Sequence, residues 1–416
     1  PEEYQASDQN WSIVQDNRGI MYFGNTDFGV LEYDGISWRK IPVSNNSIVR
    51  SMAIDSSGTV FVGAVEEFGY LSPDQTGKMD YVSISKKLDS ANRQFSDIWK
   101  TYYFRDKIYF CSQQHIYIVN NFEIEKILKL PEHSLFTFTI GDNIYIGNYR
   151  EGLLQYKEDT TIEAPGGNYF ERKNIFGIKP FGNGLYLIGT MQAGLHLYDP
   201  ETGKVKSLDK HQQSITFLKK NRLYHMLSAG ENKYSFATLS NGLITTNTDW
   251  KILSLVNKSV GLQDDQIAYS YINHDNRTDK GLWLGMNVGI SKVDICSPFR
   301  YFSEESGLKG SVLTITEFQD RLYVGTSSGV YFLDFDKKNM PFFSPVAGID
   351  NMTWDFEIFN DPFKNKEMLL AGTIEGIYHI KNDTALSIEK NTRGMENPGT
   401  RYYTYNLYTS QDQPGY

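Results

Sequence analysis

One phrase recurs along the chain and limits what it can fold into. "MYFGNTDFGVLEY" (residues 21–33) joins two apolar, strand-like runs through a glycine and a short polar segment. Clear copies follow as "VFVGAVEEFGYLS", "IYIGNYREGLLQY", "LYLIGTMQAGLHLY", "LWLGMNVGISKV", "LYVGTSSGVYFL" and "LLAGTIEGIYHI", and weaker ones as "IYFCSQQHIYIV" and "YSFATLSNGLIT". From Gly24 to Gly372 the nine copies are separated by eight intervals of about 43 residues on average. The chain is a repeat array.

Each copy reads as part of a four-stranded unit. The opening one divides into "WSIVQD", "IMYFGN", "GVLEYDG" and "SWRKIPV", with turn residues such as "DNRG" between strands. Aromatic residues make up 14% of the chain, and aromatic side chains pack well on a pleated, half-buried sheet. Helical spacing is missing almost everywhere, and "SISKKLDSANRQF" (residues 83–95) reads as a polar connector. A repeat of this length with four strands predicts β-propeller blades.

The number of copies sets the expected domain organisation. Seven fit between residue 1 and about residue 305, and two more follow without a linker. We therefore expect an all-β fold in which residues 1–305 form a seven-bladed β-propeller of four-stranded antiparallel blades. Residues 306–416 are then the first blades of a partial second propeller, and "RYYTYNLYTSQDQPGY" resembles the start of a tenth copy. One large irregular ring is the alternative. The sequence does not determine the hairpin geometry of the two weak copies.

Charge and residue spacing exclude several classes of function. The formal net charge is −9 and the basic residues form no cluster, so nucleic acid is not expected as a partner. No apolar run reaches about 18 residues, so no membrane contact is expected within this segment, and the first residues do not resemble a signal peptide. The histidines lack metal-ligand spacing, and Cys111 and Cys296 are expected to be buried and unpaired. The sequence therefore predicts no cofactor, no metal and no catalytic residue.

Several longer segments carry a family resemblance. "QNWSIVQDNRGIMYFGNTDFGVLEYDGISW", "IVRSMAIDSSGTVFVGAVEEFGYLSPDQTGKMDY", "SDIW" and "GLQDDQIAYSYINHDNRTDKGLWLGMNVGISKVD" resemble the periplasmic propeller region of triple-tyrosine two-component regulators of Bacteroidetes. The resemblance spans essentially the whole chain. In that family two seven-bladed propellers precede an immunoglobulin-like triple-tyrosine module, a membrane helix and a cytoplasmic histidine kinase or helix-turn-helix.

The resemblance implies a role and a location. The chain is then an extracytoplasmic, periplasmic sensor domain anchored by a membrane helix outside this segment. It passes its signal to a downstream output domain that regulates transcription, and the full-length protein can form a homodimer. The ligands implied by the family are oligosaccharides released from complex glycans.

The expected ligand site is the mouth of the propeller channel, because the loops that lead into the innermost strands converge there. The predicted ligand contacts share a position at or next to the start of an innermost strand: Trp11, Arg50, Trp99 and Gln266, with Asn10 and Asp97 alongside. Phe136, Phe176 and His225 stand at corresponding places, although such aromatic residues also pack between blades. Aromatic faces stack on sugar C–H groups while amides, arginine and carboxylates orient hydroxyls, so the pattern predicts a small polar ligand such as an oligosaccharide.

Two other functions stay open from the sequence. A propeller-fold carbohydrate-active enzyme, a glycosidase or lyase, needs two carboxylates facing each other across the mouth about 5–9 Å apart. Asp97, Asp265 and Asp355 are the candidates for that role. A scaffold that binds protein partners presents a flat apolar rim instead. A mouth rich in aromatic residues and amides favours the sensor.

Overall fold

The computed structural model describes residues 1–90, 92–157, 160–208, 212–272, 281–294, 302–335, 341–361, 366–388 and 407. In this part of the chain the strands form nine antiparallel sheets, eight with four strands and one with three. The predicted all-β fold is confirmed. The chain divides into two compact units, one of residues 1–258 and 262–298 and the other of residues 259–261 and 299–416.

Seven sheets make up the described part of the first unit, and each pairs its strands in chain order. The first three sheets comprise β1 (Asn10–Gln15), β2 (Met21–Asn25), β3 (Val30–Tyr33), β4 (Trp38–Ile41); β5 (Val49–Ile54), β6 (Val60–Ala64), β7 (Glu67–Pro73), β8 (Met79–Ser83); and β9 (Lys100–Phe104), β10 (Lys107–Cys111), β11 (His115–Asn120), β12 (Glu123–Lys129). The next two comprise β13 (Ser134–Ile140), β14 (Asn143–Asn148), β15 (Gly152–Lys157), β16 (Thr160–Glu163); and β17 (Ile175–Phe181), β18 (Leu185–Thr190), β19 (Gly194–Tyr198), β20 (Val205–Ser207). The last two comprise β21 (Leu223–Ser228), β22 (Lys233–Thr238), β23 (Leu243–Asn247), β24 (Ile252–Val256); and β25 (Ile267–Ile272), β26 (Gly281–Met286), β27 (Ile290–Asp294).

The sheets of the first unit are joined in a ring through their first strands. β1 lies next to β5, β5 next to β9, and the series continues through β13, β17 and β21 to β25, which lies next to β1. Hydrogen bonds join the two ends of the series. The Gly289 N–H donates to the Asp8 carbonyl at 2.7 Å, and the Gln9 side-chain amide donates to the Asn287 side-chain oxygen at 2.9 Å.

The recurring glycine of the repeat lies where one sheet meets the next. A Cβ atom on Gly24 would stand 2.7 Å from the Val49 carbonyl oxygen of β5. On Gly285, in the last sheet, it would stand 2.9 Å from the Asn10 carbonyl oxygen of β1. Because interiors are close-packed, a larger residue at either place would push neighbouring sheets apart. The packing of one sheet against the next therefore explains why a glycine recurs in the repeated phrase.

The two weak copies of the phrase form the same hairpin with other residues. In the third sheet the Ser112 hydroxyl accepts hydrogen bonds from the N–H groups of Gln114, at 3.1 Å, and His115, at 2.9 Å. In the sixth sheet the Thr238 hydroxyl donates to the Gly242 carbonyl at 2.8 Å. A hydroxyl side chain thus fixes each turn, and both hairpins are regular.

One helix differs from the sequence reading, which predicted none. α1 (Gln213–Asn221) precedes β21 and buries Ile215 and Leu218 in the same cluster as Leu223. Its apolar face is short, so the pattern was too brief to stand out from the strands around it. The segment read as a polar connector holds a 3-10 turn, Ser85–Lys87, and three further 3-10 turns lie at Gly167–Phe170, Lys258–Val260 and Glu304–Ser306.

The described part of the second unit contains two four-stranded sheets. They comprise β28 (Val312–Phe318), β29 (Arg321–Thr326), β30 (Gly329–Phe335), β31 (Pro341–Pro345); and β32 (Thr353–Asp361), β33 (Lys366–Thr373), β34 (Gly376–Lys381), β35 (Thr384–Ser387). β28 lies next to β32, and Phe332, Phe356 and Leu369 pack in the core between the sheets. Residues 401–416, which resemble the start of a tenth copy, lie outside the described residues apart from residue 407.

Candidate functional site

A cavity of about 130 Å³ lies in the first unit where the first strands of the seven sheets meet. Its described lining combines three basic side chains, Arg50, Lys100 and Lys179, with His225 and a wall of aromatic rings: Trp11, Trp99, Tyr102, Phe136, Phe138, Phe176, Tyr224 and Tyr269. No aspartate or glutamate is among these described lining residues. The cavity is thus basic in a chain whose formal net charge is −9.

A β-bulge at the start of the first strand aims side chains at this cavity. In six of the seven sheets the register of the first hairpin shifts by one residue. A bulge leaves its extra residue unpaired and turns the side chain in a new direction. In five of these sheets the residue that the shift sets off lines the cavity: Trp11, Arg50, Phe176, Tyr224 and Ala268. In the fourth sheet the shift sets off Leu135, and the next residue, Phe136, lines the cavity instead.

Arg50 is the centre of the mouth. Its Nε donates to Asp97 Oδ1 at 2.6 Å, and the two side chains are 14% and 20% exposed. The guanidinium carbon lies 4.1 Å from the centre of the Trp11 ring and 4.7 Å from that of Trp99. Nη1 is buried and has no hydrogen-bond partner among the described residues. The guanidinium is held by one carboxylate and two indole rings while one of its donors stays unused.

Asp97 is placed by the segment that leads into β9. Asp97 and Val65 form an isolated antiparallel bridge. The Ile98 N–H donates to the Ala64 carbonyl at 3.0 Å, so the segment is bonded to the hairpin of the second sheet. The Arg50–Asp97 ion pair therefore crosses the joint between the second and third sheets.

Aromatic rings continue the mouth from Trp99. Ring centres lie 5.8 Å apart for Trp99 and Phe136, 5.1 Å for Phe136 and Phe176, and 5.1 Å for Phe176 and Tyr224. The first two pairs meet edge to face, which is a favourable arrangement for aromatic quadrupoles. The pKa of the Tyr224 hydroxyl is raised, mainly by burial. The positive charge of Arg50 lowers this pKa and the negative charge of Asp97 raises it, both by less than burial does. The rings form a fixed apolar wall.

Two lysines line the interior of the cavity. Lys100 begins β9, and its ammonium lies 5.1 Å from the centre of the Phe136 ring. Lys179 lies in β17. No ion pair joins either ammonium to another described residue. Burial, and next repulsion from Lys179, lower the pKa of Lys100 to about 8, and burial also lowers the pKa of Lys179.

His225 and Cys111 complete the surroundings of the lysines. Burial, with the charges of Lys100 and Lys179, holds the pKa of His225 well below its usual range, so the ring is neutral at pH 7. Its Nδ1 lies 2.9 Å from the Ser270 hydroxyl oxygen and 3.3 Å from the Ser270 backbone nitrogen. Cys111 is a free, buried thiol, and burial raises its pKa to about 12; Cys296 lies outside the described residues.

The structure brings four of the six predicted site residues together and places two elsewhere. Trp11, Arg50 and Trp99 line the cavity, and Asp97 pairs with Arg50. Asn10 precedes the bulge of β1 and is fully buried at the closure of the ring, where its amide donates to the Asp8 carbonyl at 3.0 Å. Gln266 is half-buried, and its carbonyl accepts from the Asn287 N–H at 3.0 Å. Neither amide residue is among the described lining residues of the cavity.

The sequence reading missed the two lysines. Lys100 directly follows the predicted Trp99, and Lys179 lies four residues after Ile175, the first residue of β17. A basic residue inside a strand that is otherwise apolar is the signal that could have found them, because charged side chains are mostly exposed and these two lysines are half-buried. Tyr224 was missed because its neighbour His225 was taken as the residue at the mouth.

The carboxylates considered for an enzyme do not face each other in the cavity. Asp97 is paired with Arg50. Asp265 Oδ1 accepts from the Lys258 N–H at 2.8 Å, and Asp355, in the second unit, accepts from the Phe356 N–H at 3.0 Å. Across the described ranges, no three His, Cys, Asp or Glu side chains are grouped to hold a metal ion. In the same ranges no helix is long and apolar enough to cross a membrane.

Comparison with known proteins gives matches in structure. No protein-family model and no curated protein sequence matches the chain. The extracellular domain of BT3049 from B. thetaiotaomicron, a protein proposed to be a hybrid two-component system, is similar with a TM-score of 0.63 at 16% identity, over 92% of this chain and 52% of that one. The extracellular domain of BT4673 from the same organism, likewise proposed to be such a system, is similar with a TM-score of 0.50 at 15% identity, over 97% of this chain and 55% of that one.

Shorter propellers match as well. Virginiamycin B lyase from Staphylococcus aureus is similar with a TM-score of 0.53 at 12% identity, over 69% of this chain and 95% of that one. The WD40 β-propeller domain of Doa1 has a TM-score of 0.54 at 9% identity, over 69% and 92%. At these identities the likeness concerns the fold, which is propeller-like. The chain spans about half the length of the B. thetaiotaomicron domains.

Proposed function

We propose that this chain is the extracytoplasmic ligand-sensing region of a membrane-anchored signal-transduction regulator. It binds an oligosaccharide or a similar small polar ligand in the cavity of the first unit and passes the signal to a downstream output domain. The observation that carries the proposal is the Arg50 guanidinium, which packs against two indole rings and has Nη1 buried and unpartnered among the described residues. The similarity of fold to extracellular domains of proposed two-component systems supports the sensor role.

The geometry of the mouth suits a ligand with hydroxyl groups and apolar faces. A hydroxyl or ring oxygen of the ligand accepts a hydrogen bond from the Arg50 guanidinium, whose side chain is 14% exposed. The rings of Phe136 and Phe176 offer apolar surface to the C–H face of a sugar. Because Asp97 and the two indoles already fix Arg50, binding loses little side-chain entropy.

The domain organisation of the proposal follows from the arrangement of sheets. Residues 1–305 form a seven-bladed propeller, supported by the ring order of the seven first strands. Residues 306–416 form part of a second propeller. In support, the first strand of the second unit, β28, exposes Val312, Leu313 and Ile315, whereas the first strands β1 and β5 are mostly buried. An exposed apolar strand of this kind is the face that a neighbouring blade covers.

The location and assembly are parts of the same proposal. The chain acts in the periplasm, held by a membrane helix outside this segment, and the full-length protein regulates transcription as a homodimer. The B. thetaiotaomicron domains of similar fold are extracellular, which supports a place outside the cytoplasm.

Isothermal titration against a panel of oligosaccharides tests the proposal. Arg50→Ala and Trp99→Ala should each weaken binding by about ten- to a hundredfold, because each removes a charged hydrogen-bond donor or a stacked ring. Arg105→Ala is the matched control, since Arg105 lies in the turn at the other end of β9 with a side chain 60% exposed, and it should bind as the wild type does. Unchanged affinity in both mouth variants, with circular dichroism intact, would place the ligand elsewhere. Release of cleavage products during the titration would favour the enzyme.

A further inference from the structure

We infer that the ligand of this cavity carries an acidic group, a carboxylate or a sulfate, which is held between Lys100 and Lys179. The inference rests on the proposed function and narrows its ligand class. It is carried by the balance of charge in the lining, where three basic side chains and no carboxylate are found among the described residues.

The positive charge at the mouth has a carboxylate partner, whereas the positive charges in the interior have none among the described residues. The Arg50 charge is met by Asp97 at 2.6 Å. The ammonium groups of Lys100 and Lys179 have no carboxylate partner among the described residues, and both side chains line the same cavity, where the charge of Lys179 disfavours the charged form of Lys100. A positive charge taken out of water without a partner is unfavourable, so an anion that enters the cavity gains from both ammonium groups at once.

The neighbours of the lysines leave no internal anion to compete with a ligand. His225 is neutral, and the Cys111 thiol stays protonated because burial raises its pKa. Tyr102 donates its hydroxyl to the Thr137 carbonyl at 2.6 Å, and burial raises its pKa too. The interior therefore presents donors and cations to whatever enters it.

The volume sets the size of the group. A cavity of about 130 Å³ holds about four water molecules at the density of the liquid, which is the scale of an acidic group with part of its sugar ring rather than of a whole oligosaccharide. The ligand thus enters by a terminal acidic residue, while the rest of the saccharide lies at the mouth beside Arg50 and Trp99. The ring of Phe136, over which Lys100 lies, provides the apolar wall next to the acidic group.

A test with inorganic sulfate does not depend on the identity of the saccharide. At constant ionic strength, replacing chloride by sulfate should raise the melting temperature of the wild type more than that of Lys100→Gln or Lys179→Gln, because only the former keeps both ammonium groups. Lys78→Gln removes an exposed charge in a turn and should respond as the wild type does, which accounts for the general stabilising effect of sulfate. Equal responses in all four proteins would overturn the inference.

A second arm uses saccharides and separates carboxylate from sulfate. Digalacturonate is titrated beside its methyl ester, and a sulfated disaccharide beside its desulfated form. At least one acidic form should bind at least about tenfold more tightly than its neutral partner, and each glutamine variant should lose that difference. If neutral saccharides bind equally well and the variants change nothing, the inference fails and saccharide sensing stands. If sulfate protects the wild type selectively while no saccharide binds, the proposed function fails and the anion site stands.

Discussion

The mouth and the interior of the cavity differ in whether their positive charges are paired with a carboxylate. At the mouth, Arg50 has a carboxylate at 2.6 Å and two indole rings within 4.7 Å of its guanidinium carbon. In the interior, Lys100 and Lys179 have no carboxylate partner among the described residues. The mouth is organised before any ligand arrives, whereas the interior is left with a charge for a ligand to compensate. The contrast indicates that the mouth supplies fixed geometry, whereas the interior supplies the charge that attracts an acidic ligand.

The largest effect should come from introducing a carboxylate into the interior of the cavity, where the described residues supply none. Lys179→Glu places a carboxylate near Lys100, and the new pair should abolish binding of an acidic ligand, a loss of about a hundredfold or more. The melting temperature of the free protein should not fall, because the two opposite charges now compensate each other. Titration and thermal unfolding of the same sample check both points. Wild-type affinity in Lys179→Glu would mean that the interior charge is irrelevant to binding.

The next effect is a dependence of affinity on pH that only the interior produces. Lys100 has a lowered pKa of about 8, so it is charged below that pH and loses its charge as the pH rises through it. Affinity for an acidic ligand should therefore fall by about tenfold between pH 7 and pH 9.5. His225 stays neutral and Cys111 protonated through most of this window, while Lys179 also has a lowered pKa. Titrations of Lys100→Gln should show a flatter profile, and an equally steep one would assign the effect to another group.

A smaller effect should follow from removing the acid of the mouth. Asp97→Asn leaves Arg50 without its counter-charge, and the free energy of unfolding should fall by about 1–2 kcal/mol, since the pair is mostly buried. An acidic ligand should bind a few-fold more tightly, because the cavity gains a net positive charge. Chemical denaturation and titration measure the two changes. Weaker binding of the acidic ligand would show that Asp97 contacts the ligand directly.

The smallest effect concerns the stability of the free protein. Lys100→Met replaces an ammonium that has no carboxylate partner among the described residues by an apolar chain of similar length, and the free energy of unfolding at pH 7 should rise by about 0.5–2 kcal/mol. The sign follows from linkage: between pH 8 and the ordinary lysine pKa of 10.5 the unfolded wild type binds more protons, so its stability rises with pH. The variant should show a smaller rise, which comes from the lowered pKa of Lys179. A variant less stable than the wild type at pH 7 would mean that packing outweighs charge at this position.

The sequence predicted the fold well because each repeat carries its own packing rule. The glycine of the phrase meets the backbone of the next sheet, as Gly24 meets Val49, so the same residue returns at each joint. In the third copy Cys111 stands in place of this glycine and the Ser112 hydroxyl that follows it fixes the turn, and the sequence alone did not determine the geometry of that hairpin. The helix α1 was not predicted, because it is stabilised by tertiary contacts of Ile215 and Leu218 and its apolar pattern is short.

The candidate site could be predicted only in part, and the bulge explains why. Trp11 and Arg50 are set off by the bulge, so their place at the strand start was enough to assign them to the mouth. Asn10 precedes the bulge and turns into the ring closure, a difference of one residue that no sequence pattern marks. The direction of Lys100 and Lys179 depends on the register beyond the bulge, which the sequence does not specify.

A crystal structure of the whole chain bound to the acidic saccharide of highest affinity would locate the acidic group. We expect a carboxylate or sulfate oxygen within about 3.2 Å of the Nζ atoms of Lys100 and Lys179. The remaining sugar should lie beside Arg50 and Trp99 at the mouth. A saccharide bound outside the cavity, or inside it with its acidic group directed away from both lysines, would show that the two lysines do not form the anion site.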